Sequence, residues 1–499
     1  MTSSPAPRGA EAPRGAEAPR GAAGRGGAVA AVDLGATSGR VIVGHVGRDT
    51  LHLDHIARFA NGPVRLASGL HWDLTGLLAH ALDGLAQAVH AESAIASVGI
   101  DSWAVDYVLM RGDRMLGEPF HYRDDRTAGG VEAVHAVAGF DELYTRNGLQ
   151  FLAFNTLYQL AADRRDGHLD VADTALLVPD ALAFQLTGSR VTERTNASTT
   201  GLLRVADAQW DTELMARLQL PVGLFPDLVD PGTSLGTLRP ALTEQVGAAL
   251  EVVTVGSHDT ASAVVAIPMA DPETSAYISC GTWGLVGLEL DKPVTTDAAR
   301  LANVTNEGGV DGRVRFLHNV MGLWLLSESV RQWERDSGQA IDLPTLLADA
   351  AEVPAASVAV FDANDPVFLA PGDMPGRIAH WYHSHDLPVP ATRAAFARAI
   401  VESLAEAFAR TVRTVAELAG REVDTIHIVG GGALNTLLCQ RTADRAGLTV
   451  LAGPVEATAL GNVLVQARAH GWLGRDATLE DMRALVSRTT APRRYSPRA

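Results

Sequence analysis

Residues 28–46, AVAAVDLGATSGRVIVGHV, contain the pattern that decides the fold. An apolar run rich in alanine and valine stops at Asp33, and a turn of small residues leads at Arg40 into a second apolar run. Two strand-like segments joined by a glycine-containing turn predict a β-hairpin. The carboxylate at the end of the first strand makes this turn a candidate for chemistry as well as for structure.

Helix-like and strand-like segments alternate after this hairpin. Residues 71–91 place apolar side chains at helical spacing, and residues 97–101, SVGID, are typical of a buried strand. The pattern restarts at residues 275–290, SAYISCGTWGLVGLEL, which predict a second hairpin. Alternation of this kind is typical of an α/β fold, and two hairpin-bearing halves predict two related domains with a cleft between them.

The expected division of the chain has four parts. Residues 1–27 contain a PRGAEA repeat that lacks large apolar side chains, so we predict a disordered tail. We expect a first domain over residues 28–268 and a second over residues 269–475, because the turn residues of IPMADPETS separate two ordered patterns. Residues 476–499 are left as a C-terminal extension.

Composition excludes several classes of protein. The 499 residues carry a net charge of −17 without a basic block, so we expect neither a nucleic-acid partner nor, since no long apolar run occurs, a membrane partner. Cys280 and Cys439 lie far apart, which excludes a disulfide framework and fits a reducing, cytoplasmic compartment. The single lysine, Lys292, precedes a proline, so any nucleotide site must work without a Gly-Lys-Ser/Thr loop.

The turn of the first hairpin could bind phosphate. Its glycines allow backbone N–H groups to approach a phosphate closely, and Thr37 and Ser38 can donate hydrogen bonds to its oxygens. Arg40 adds a fixed positive charge, and Asp33 could hold Mg²⁺ directly or through water. A plain hairpin turn would explain the same residues.

Two further glycine-rich turns could approach a nucleotide. Residues 430–432 are three glycines after an apolar strand, and they make Gly431 a candidate contact. Tight packing of strand against helix would equally require glycines there. Thr282, in the turn of the second hairpin, could face the other side of a triphosphate, or this segment could simply reverse the chain.

The segment Ser257-His258-Asp259-Thr260 follows an apolar strand, where ligands of open α/β sheets bind. Asp259 could accept the proton of a substrate hydroxyl during phosphoryl transfer. Helix capping by these residues explains the segment as well, since an alanine-rich helix follows.

Polar and aromatic residues recur at two other strand ends, as they do in sugar sites. In residues 101–106, DSWAVD, a tryptophan could stack on a sugar face while the carboxylates bind hydroxyls. Asn319 could bind a hydroxyl from the second half. The alternative is a core tryptophan flanked by exposed carboxylates.

In this order, DLGATSGR, SHDTAS, CGTWG and IVGGGALN resemble the motifs of the FGGY carbohydrate kinases, in the actin/hexokinase superfamily. Matching segments span residues 28–470. Within the family, FNTLYQL, TNEGG and NVMGLWLL are most similar to the members that phosphorylate L-rhamnulose. The resemblance implies an α/β fold of two ribonuclease-H-like, actin/hexokinase-type domains flanking a catalytic cleft.

The resemblance also implies an activity: transfer of phosphoryl from ATP, with Mg²⁺, to the 1-hydroxyl of L-rhamnulose in L-rhamnose degradation. We expect a monomer or homodimer that binds a small sugar and ATP. The resemblance implies Asp259 as catalytic base. It assigns to the nucleotide Ala36, Thr37, Ser38, Gly39, Arg40, Thr282, Ser327 and Gly431. It assigns to the sugar Trp103, Ala104, Asp106, His258, Asp259, Thr260 and Asn319.

Two positions depart from the family pattern. Ala104 stands where these kinases carry glycine at a sugar contact, and its methyl group could narrow the pocket. Ser327 stands where a glutamine contacts ATP. The alternatives are a family member acting on fuculose, xylulose or a related sugar, and an ATPase without sugar kinase activity. A sugar-responsive repressor is disfavoured, because the short tail lacks the pattern of a DNA-binding head.

Overall fold

The computed structural model describes residues 26–474 and 476–498. The predicted disordered tail, residues 1–27, lies outside the described residues except for Gly26 and Gly27, and the first strand begins at Gly27. The strands of the N-terminal half are β1 Gly27–Leu34, β2 Ser38–Val46, β3 Leu51–Ala60, β4 Pro63–Leu66, β5 Gly69–Trp72, β6 Ile95–Ser102, β7 Tyr107–Arg111, β8 Arg114–Met115, β9 Thr174–Leu177, β10 Thr192–Glu193, β11 Leu228–Val229, β12 Ser234–Thr237 and β13 Glu251–Val253. Its helices are α1 Leu74–Ala91, α2 Ala128–His135, α3 Phe140–Asn147, α4 Thr156–Arg165, α5 Val178–Thr187, α6 Arg194–Ala197, α7 Thr212–Arg217, α8 Pro240–Val246 and α9 Asp259–Val265.

The C-terminal half repeats the alternation of strands and helices. Its strands are β14 Ser275–Cys280, β15 Trp283–Leu290, β16 Thr305–Gly308, β17 Val314–Met321, β18 Thr425–Val429, β19 Thr449–Ala452 and β20 Arg493–Tyr495. Its helices are α10 Asp297–Leu301, α11 Trp324–Ser337, α12 Leu343–Glu352, α13 Met374–Ser384, α14 Arg393–Ala419, α15 Thr436–Ala446, α16 Ala457–Ala469 and α17 Leu479–Thr489.

The two main sheets share one topology. The first has the order β12-β13-β6-β1-β2-β3, and the second the order β16-β17-β15-β14-β18-β19-β20. In each, the predicted hairpin is antiparallel and its first strand pairs in parallel with a later strand, β6 or β18. Both therefore contain the ribonuclease-H-like strand order, and the predicted two-domain α/β fold is confirmed.

A shared apolar core lies between the two sheets. It includes Val29 of β1, Tyr277 of β14 and buried residues of α9, α16 and α17. Helices α9 and α16 cross with their backbones in contact, since a Cβ atom added at Gly461 would lie 1.8 Å from the carbonyl oxygen of Ser262. This close approach joins one helix of the N-terminal half to one helix of the C-terminal half.

The C-terminal extension predicted for residues 476–499 contains structure that completes this architecture. Helix α17 contributes Leu479 and Met482 to the shared core, and β20 pairs antiparallel with β19 at the edge of the second sheet. None of the helices in the described ranges combines the length and the apolar character needed to cross a membrane.

Candidate active site

A cavity of about 480 Å³ lies between the two halves. It is lined by the turns of both hairpins, the first residues of α9, the glycines after β18 and aromatic side chains from each half. The strands explain this convergence, because β1, β6 and β14 all end at the cavity. The predicted cleft thus has a concrete location at the strand ends.

The turn after β1 supplies the polar end of this cavity. Ala36, Thr37 and Ser38 line it, and Arg40 lies between two carboxylates. The Arg40 Nε atom is 3.4 Å from Oδ2 of Asp33, and its Nη1 group pairs with the carboxylate of Glu456. The structure therefore places four of the five predicted phosphate contacts together.

Gly39, the fifth predicted contact, lies inside the sheet. A Cβ atom at this position would lie 2.2 Å from the ring of Phe59. Gly39 pairs with Phe59 of β3 and with Leu34 of β1, so strand packing accounts for this glycine. The structure thus gives Gly39 a packing role, and its contact with the nucleotide stays a prediction.

Asp33 fits a magnesium ligand by its surroundings. It is buried, and its Oδ2 atom has no hydrogen-bond partner among the described residues. Burial raises the pKa of Asp33, and the charge of Arg40 opposes that rise. The described ranges contain no group of three His, Cys, Asp or Glu side chains able to hold a metal. One carboxylate suits Mg²⁺, which usually keeps waters and binds substrate phosphates.

Asp259 is the first residue of α9 and faces the cavity with 32% of its side chain exposed. Desolvation in the cleft and the nearby charge of Asp33 raise the pKa of Asp259 to about 7. In the described part of the chain, the N-terminus of α9 has no side-chain cap at His258. Capping therefore does not explain this segment, whereas a pKa near neutrality suits a general base.

His258 is buried beside Asp259. Its Nε2 atom lies 3.4 Å from Oδ1 of Asp259, and its Nδ1 atom lies 2.9 Å from Nη2 of Arg315. Burial and the charge of Arg315 hold the pKa of His258 well below its ordinary value. The ring is therefore neutral, and its position relative to Asp259 is fixed from the C-terminal half.

The other end of the cavity combines aromatic and amide side chains. Trp103 and Ala104 line this end from the N-terminal half, and Thr260 and Asn319 also line the cavity. Gln150 accepts hydrogen bonds from the backbone N–H and the side-chain amide of Asn319, at 2.9 and 3.1 Å. This arrangement suits a sugar, with ring faces for apolar C–H groups and fixed polar groups for hydroxyls.

Asp106 does not reach the described cavity wall, although we predicted a sugar contact for it. Its carboxylate is 1% exposed and accepts hydrogen bonds from the indoles of Trp72 and Trp103, at 2.6 and 3.0 Å. Gln159 and the backbone of Tyr122 donate at 2.9 and 3.2 Å. Because its oxygens are already used, the prediction is corrected: Asp106 holds Trp103 in place.

The three glycines after β18 lie in three different environments. Gly430 has a φ of 77°, in the left-handed region. A Cβ atom at Gly432 would lie 2.4 Å from the side chain of Cys280. A Cβ atom at Gly431 would meet no described atom within 4 Å, and this residue lines the cavity. Packing thus explains Gly432, while Gly431 leaves open space where a ligand can approach.

Thr282 and Ser327 also line the cavity near these glycines. Thr282 belongs to the turn between β14 and β15, and Ser327 lies on α11. The structure therefore brings both predicted nucleotide contacts to the wall formed by the C-terminal half. Their roles remain predictions.

Several residues at the site were missed in the sequence. Glu307 and Gln150 line the cavity, and Arg315 lies directly behind His258. Arg123 lies over the ring of Trp324 at 4.0 Å, and so it joins the two halves beside the cavity. The position of Arg315 within the largely apolar strand VRFLHNVM was a sequence signal that it has a special role. The distance in sequence from position 258 to position 315 hid its partner.

Comparison with known proteins follows the same division of the chain. The model of the FGGY family of carbohydrate kinases, N-terminal domain, matches residues 28–266, and that of the C-terminal domain matches residues 276–470. A rhamnulokinase of Bacteroides thetaiotaomicron is 40% identical over 473 residues, covering 94% of this chain and 95% of that protein. A rhamnulokinase of Pectobacterium atrosepticum is 42% identical over 476 residues, covering 94% and 93%.

Solved structures share the fold at low sequence identity. A gluconate kinase from Lactobacillus acidophilus has a TM-score of 0.76 at 16% identity, covering 95% of this chain and 94% of its own. A ligand-bound xylulose kinase from the same organism has a TM-score of 0.76 at 15% identity, covering 94% of each chain. Both family models match this chain, and relatives of 40 and 42% identity cover 94% of it, so the chain belongs to the FGGY family of carbohydrate kinases.

Proposed function

We propose that this protein transfers the γ-phosphoryl group of ATP to the 1-hydroxyl of L-rhamnulose, giving L-rhamnulose 1-phosphate and ADP in L-rhamnose degradation. The choice of sugar is supported by relatives named rhamnulokinase that are 40 and 42% identical over 94% of the chain. The structural observation that carries the chemistry is Asp259, a carboxylate with a pKa of about 7 at the cavity between the halves.

Asp259 acts as the general base. Phosphoryl transfer to a hydroxyl requires that the oxygen lose its proton as the new P–O bond forms. At a pH near its pKa of about 7, this carboxylate is ionised in about half of the molecules. The ionised form can accept the proton of the hydroxyl. Thr260 donates a hydrogen bond from its hydroxyl to Oδ1 of Asp259 at 3.2 Å, which leaves Oδ2 for the substrate.

The lysine-free turns stabilise the triphosphate. The carboxylate of Asp33, whose Oδ2 atom accepts no hydrogen bond and lies 3.4 Å from Nε of Arg40, would hold Mg²⁺. When bound, Mg²⁺ would supply positive charge against the negative charge on the transferring oxygens. Thr37, Ser38 and Thr282 provide hydroxyl donors on the cavity wall, and Arg40 provides a guanidinium. Donors that are already oriented need little rearrangement during the reaction.

The sugar end orients the acceptor and excludes water. Asn319 is held by Gln150, and Trp103 is held by Asp106, so a hydroxyl contact and a stacking surface are both fixed before the sugar arrives. Phe154 and Trp283 add apolar surface to the same cavity. Fixing the acceptor near the phosphoryl group lowers the entropic cost of the reaction, and a dry cavity disfavours hydrolysis of ATP.

The test is an ADP-release assay with Mg²⁺, ATP and a panel of ketoses. L-Rhamnulose should give the highest kcat/KM, well above L-fuculose and D-xylulose, and the reaction without sugar should release little ADP. A higher value for another ketose would reassign the substrate within the family. ADP release that is equal with and without sugar would reject the kinase function.

A further inference from the structure

We infer that Arg315 is a positioning residue that fixes one tautomer of His258 and thereby orients the carboxylate of Asp259. The inference deepens the proposed function, because it rests on Asp259 as the base. It concerns a residue that lies behind the cavity wall and acts through His258 rather than through substrate.

The guanidinium of Arg315 is held on two sides by its own sheet. The side chain extends from β17 and is 0% exposed. Its Nε group donates to the carbonyl oxygen of Gly308 at 2.9 Å, and its Nη1 atom lies 3.2 Å from Oε2 of Glu307. Glu307 is the cross-strand partner of Arg315 in the pairing of β16 with β17. These two contacts fix the orientation of the guanidinium and therefore the direction of its third nitrogen, Nη2.

That nitrogen faces His258. Nη2 of Arg315 and Nδ1 of His258 are 2.9 Å apart. A guanidinium has donors but no acceptor and stays protonated in proteins, so Nδ1 must be the acceptor. The ring is neutral because burial and this guanidinium lower the pKa of His258. Its proton therefore resides on Nε2, which lies 3.4 Å from Oδ1 of Asp259.

The backbone that carries His258 is fixed separately, from the N-terminal half. The buried carboxylate of Glu193 accepts hydrogen bonds from the backbone N–H and the hydroxyl of Ser257, at 3.1 and 2.7 Å. The N–H of Ser102 donates to the carbonyl oxygen of Ser257 at 2.9 Å. The peptide is therefore held by one half and the imidazole by the other, so the orientation of the ring depends on the relative position of the halves.

The tautomer matters for the reaction. With the proton on Nε2, the imidazole presents a positive N–H edge to the carboxylate, which favours the ionised form of Asp259 and one orientation of it. With the proton on Nδ1, a lone pair would face the carboxylate and repel it. Oε2 of Glu307 lies 3.5 Å from Nδ1 and would favour a proton there. Arg315 opposes that second arrangement from a shorter distance, because its Nη2–H, 2.9 Å from Nδ1, would then meet the N–H of the ring.

The main test replaces Arg315 by methionine and compares the loss of kcat with that of the same substitution in a second buried ion pair. In Arg315→Met, kcat at saturating sugar and ATP should fall about 10- to 100-fold, the usual worth of an outer positioning contact. The KM for ATP should change less than about threefold, since Arg315 lies behind the sugar side. The double variant Arg315→Met/Glu307→Gln leaves no unpaired buried carboxylate. Because Glu307 also lines the cavity, this variant is compared with Glu307→Gln alone, and it should show the same fall in kcat relative to that single variant.

Arg483 provides the control. It is buried, with its side chain 2% exposed, and its Nη1 and Nη2 groups bind Glu289 at 2.7 and 2.8 Å. Arg483→Met should lose stability in the same way as Arg315→Met but keep kcat within about threefold. Equal losses of kcat in Arg315→Met and Arg483→Met would overturn the inference, as would a folded Arg315→Met with wild-type kcat.

A spectroscopic readout separates positioning from general damage. In protein labelled with ¹⁵N-histidine, the His258 signals are assigned through their loss in His258→Gln. The wild-type protein should show a protonated Nε2 and an unprotonated Nδ1, and the double variant should show a mixture of tautomers. The same single tautomer in both proteins would overturn the inference. A wild-type protein that lacks sugar-dependent ADP release would instead reject the proposed function, and the tautomer would still test the role of Arg315.

Discussion

The two halves of the molecule share a strand order but end their strands in different chemistry. In the N-terminal half, β1 and β6 end beside Asp33 and Asp101, and Asp259 follows β13 at the same edge. In the C-terminal half, β14 ends at the uncharged Cys280, and β18 is followed by Gly430. The fold thus decides where the strand ends meet. The strand ends of the N-terminal half carry carboxylates and those of the C-terminal half leave space, while Glu307 and Glu456 of the C-terminal half line the cavity from other segments.

The largest expected effect concerns the acidic half. Asp259→Asn should lower kcat about 10²- to 10⁴-fold, the usual worth of a positioned base, because an amide cannot accept the proton of the hydroxyl. ATP affinity, measured by calorimetry, should remain close to wild type, since the nucleotide contacts lie on other residues. Near-normal turnover of this variant would remove Asp259 from the reaction.

The same carboxylate predicts a pH dependence. Asp259 must be ionised to act as a base, and its pKa in the free protein is about 7. Because this pKa is raised, the ionised fraction grows as pH rises through 7, so kcat/KM for the sugar should fall about tenfold per unit below that value. The residual activity of Asp259→Asn should lack this acid limb. A wild-type rate that stays flat from pH 5 to 8 would contradict the assignment.

The glycine half offers a matched pair of substitutions. Gly432→Ala should destabilise the protein by about 1–3 kcal/mol, because the added methyl group overlaps the side chain of Cys280. Gly431→Ala should leave the free energy of unfolding nearly unchanged and raise the KM for ATP, because its methyl group enters the cavity. Denaturant titrations and ATP kinetics of both variants measure the difference. A stability loss at Gly431 equal to that at Gly432 would mean that packing explains both.

The smallest expected effect is at the sugar end. Ala104→Gly removes one methyl group from the cavity wall, so the KM for the sugar should change by a few-fold while the KM for ATP stays the same. Steady-state kinetics with each substrate varied in turn make this comparison. Equal changes in both constants would place Ala104 outside the sugar pocket.

Local patterns in the sequence predicted both hairpins and the cavity position of Asp259, because strand ends and glycine turns are encoded by neighbouring residues. The packing role of Gly39 and the error at Asp106 have a common cause. Whether a glycine faces a sheet or a carboxylate is already hydrogen-bonded depends on residues far away in sequence, such as Phe59 and Trp72. The pairing of Arg315 with His258 was beyond reach for the same reason.

The central claim is that Asp259 meets the hydroxyl that receives the phosphoryl group. The most direct measurement is a crystal structure of the protein with L-rhamnulose, Mg²⁺ and a non-hydrolysable ATP analogue. We predict a carboxylate oxygen of Asp259 within about 3 Å of the 1-hydroxyl oxygen, with the γ-phosphate on the opposite side of that oxygen. A sugar bound with its 1-hydroxyl out of reach of Asp259 would contradict it.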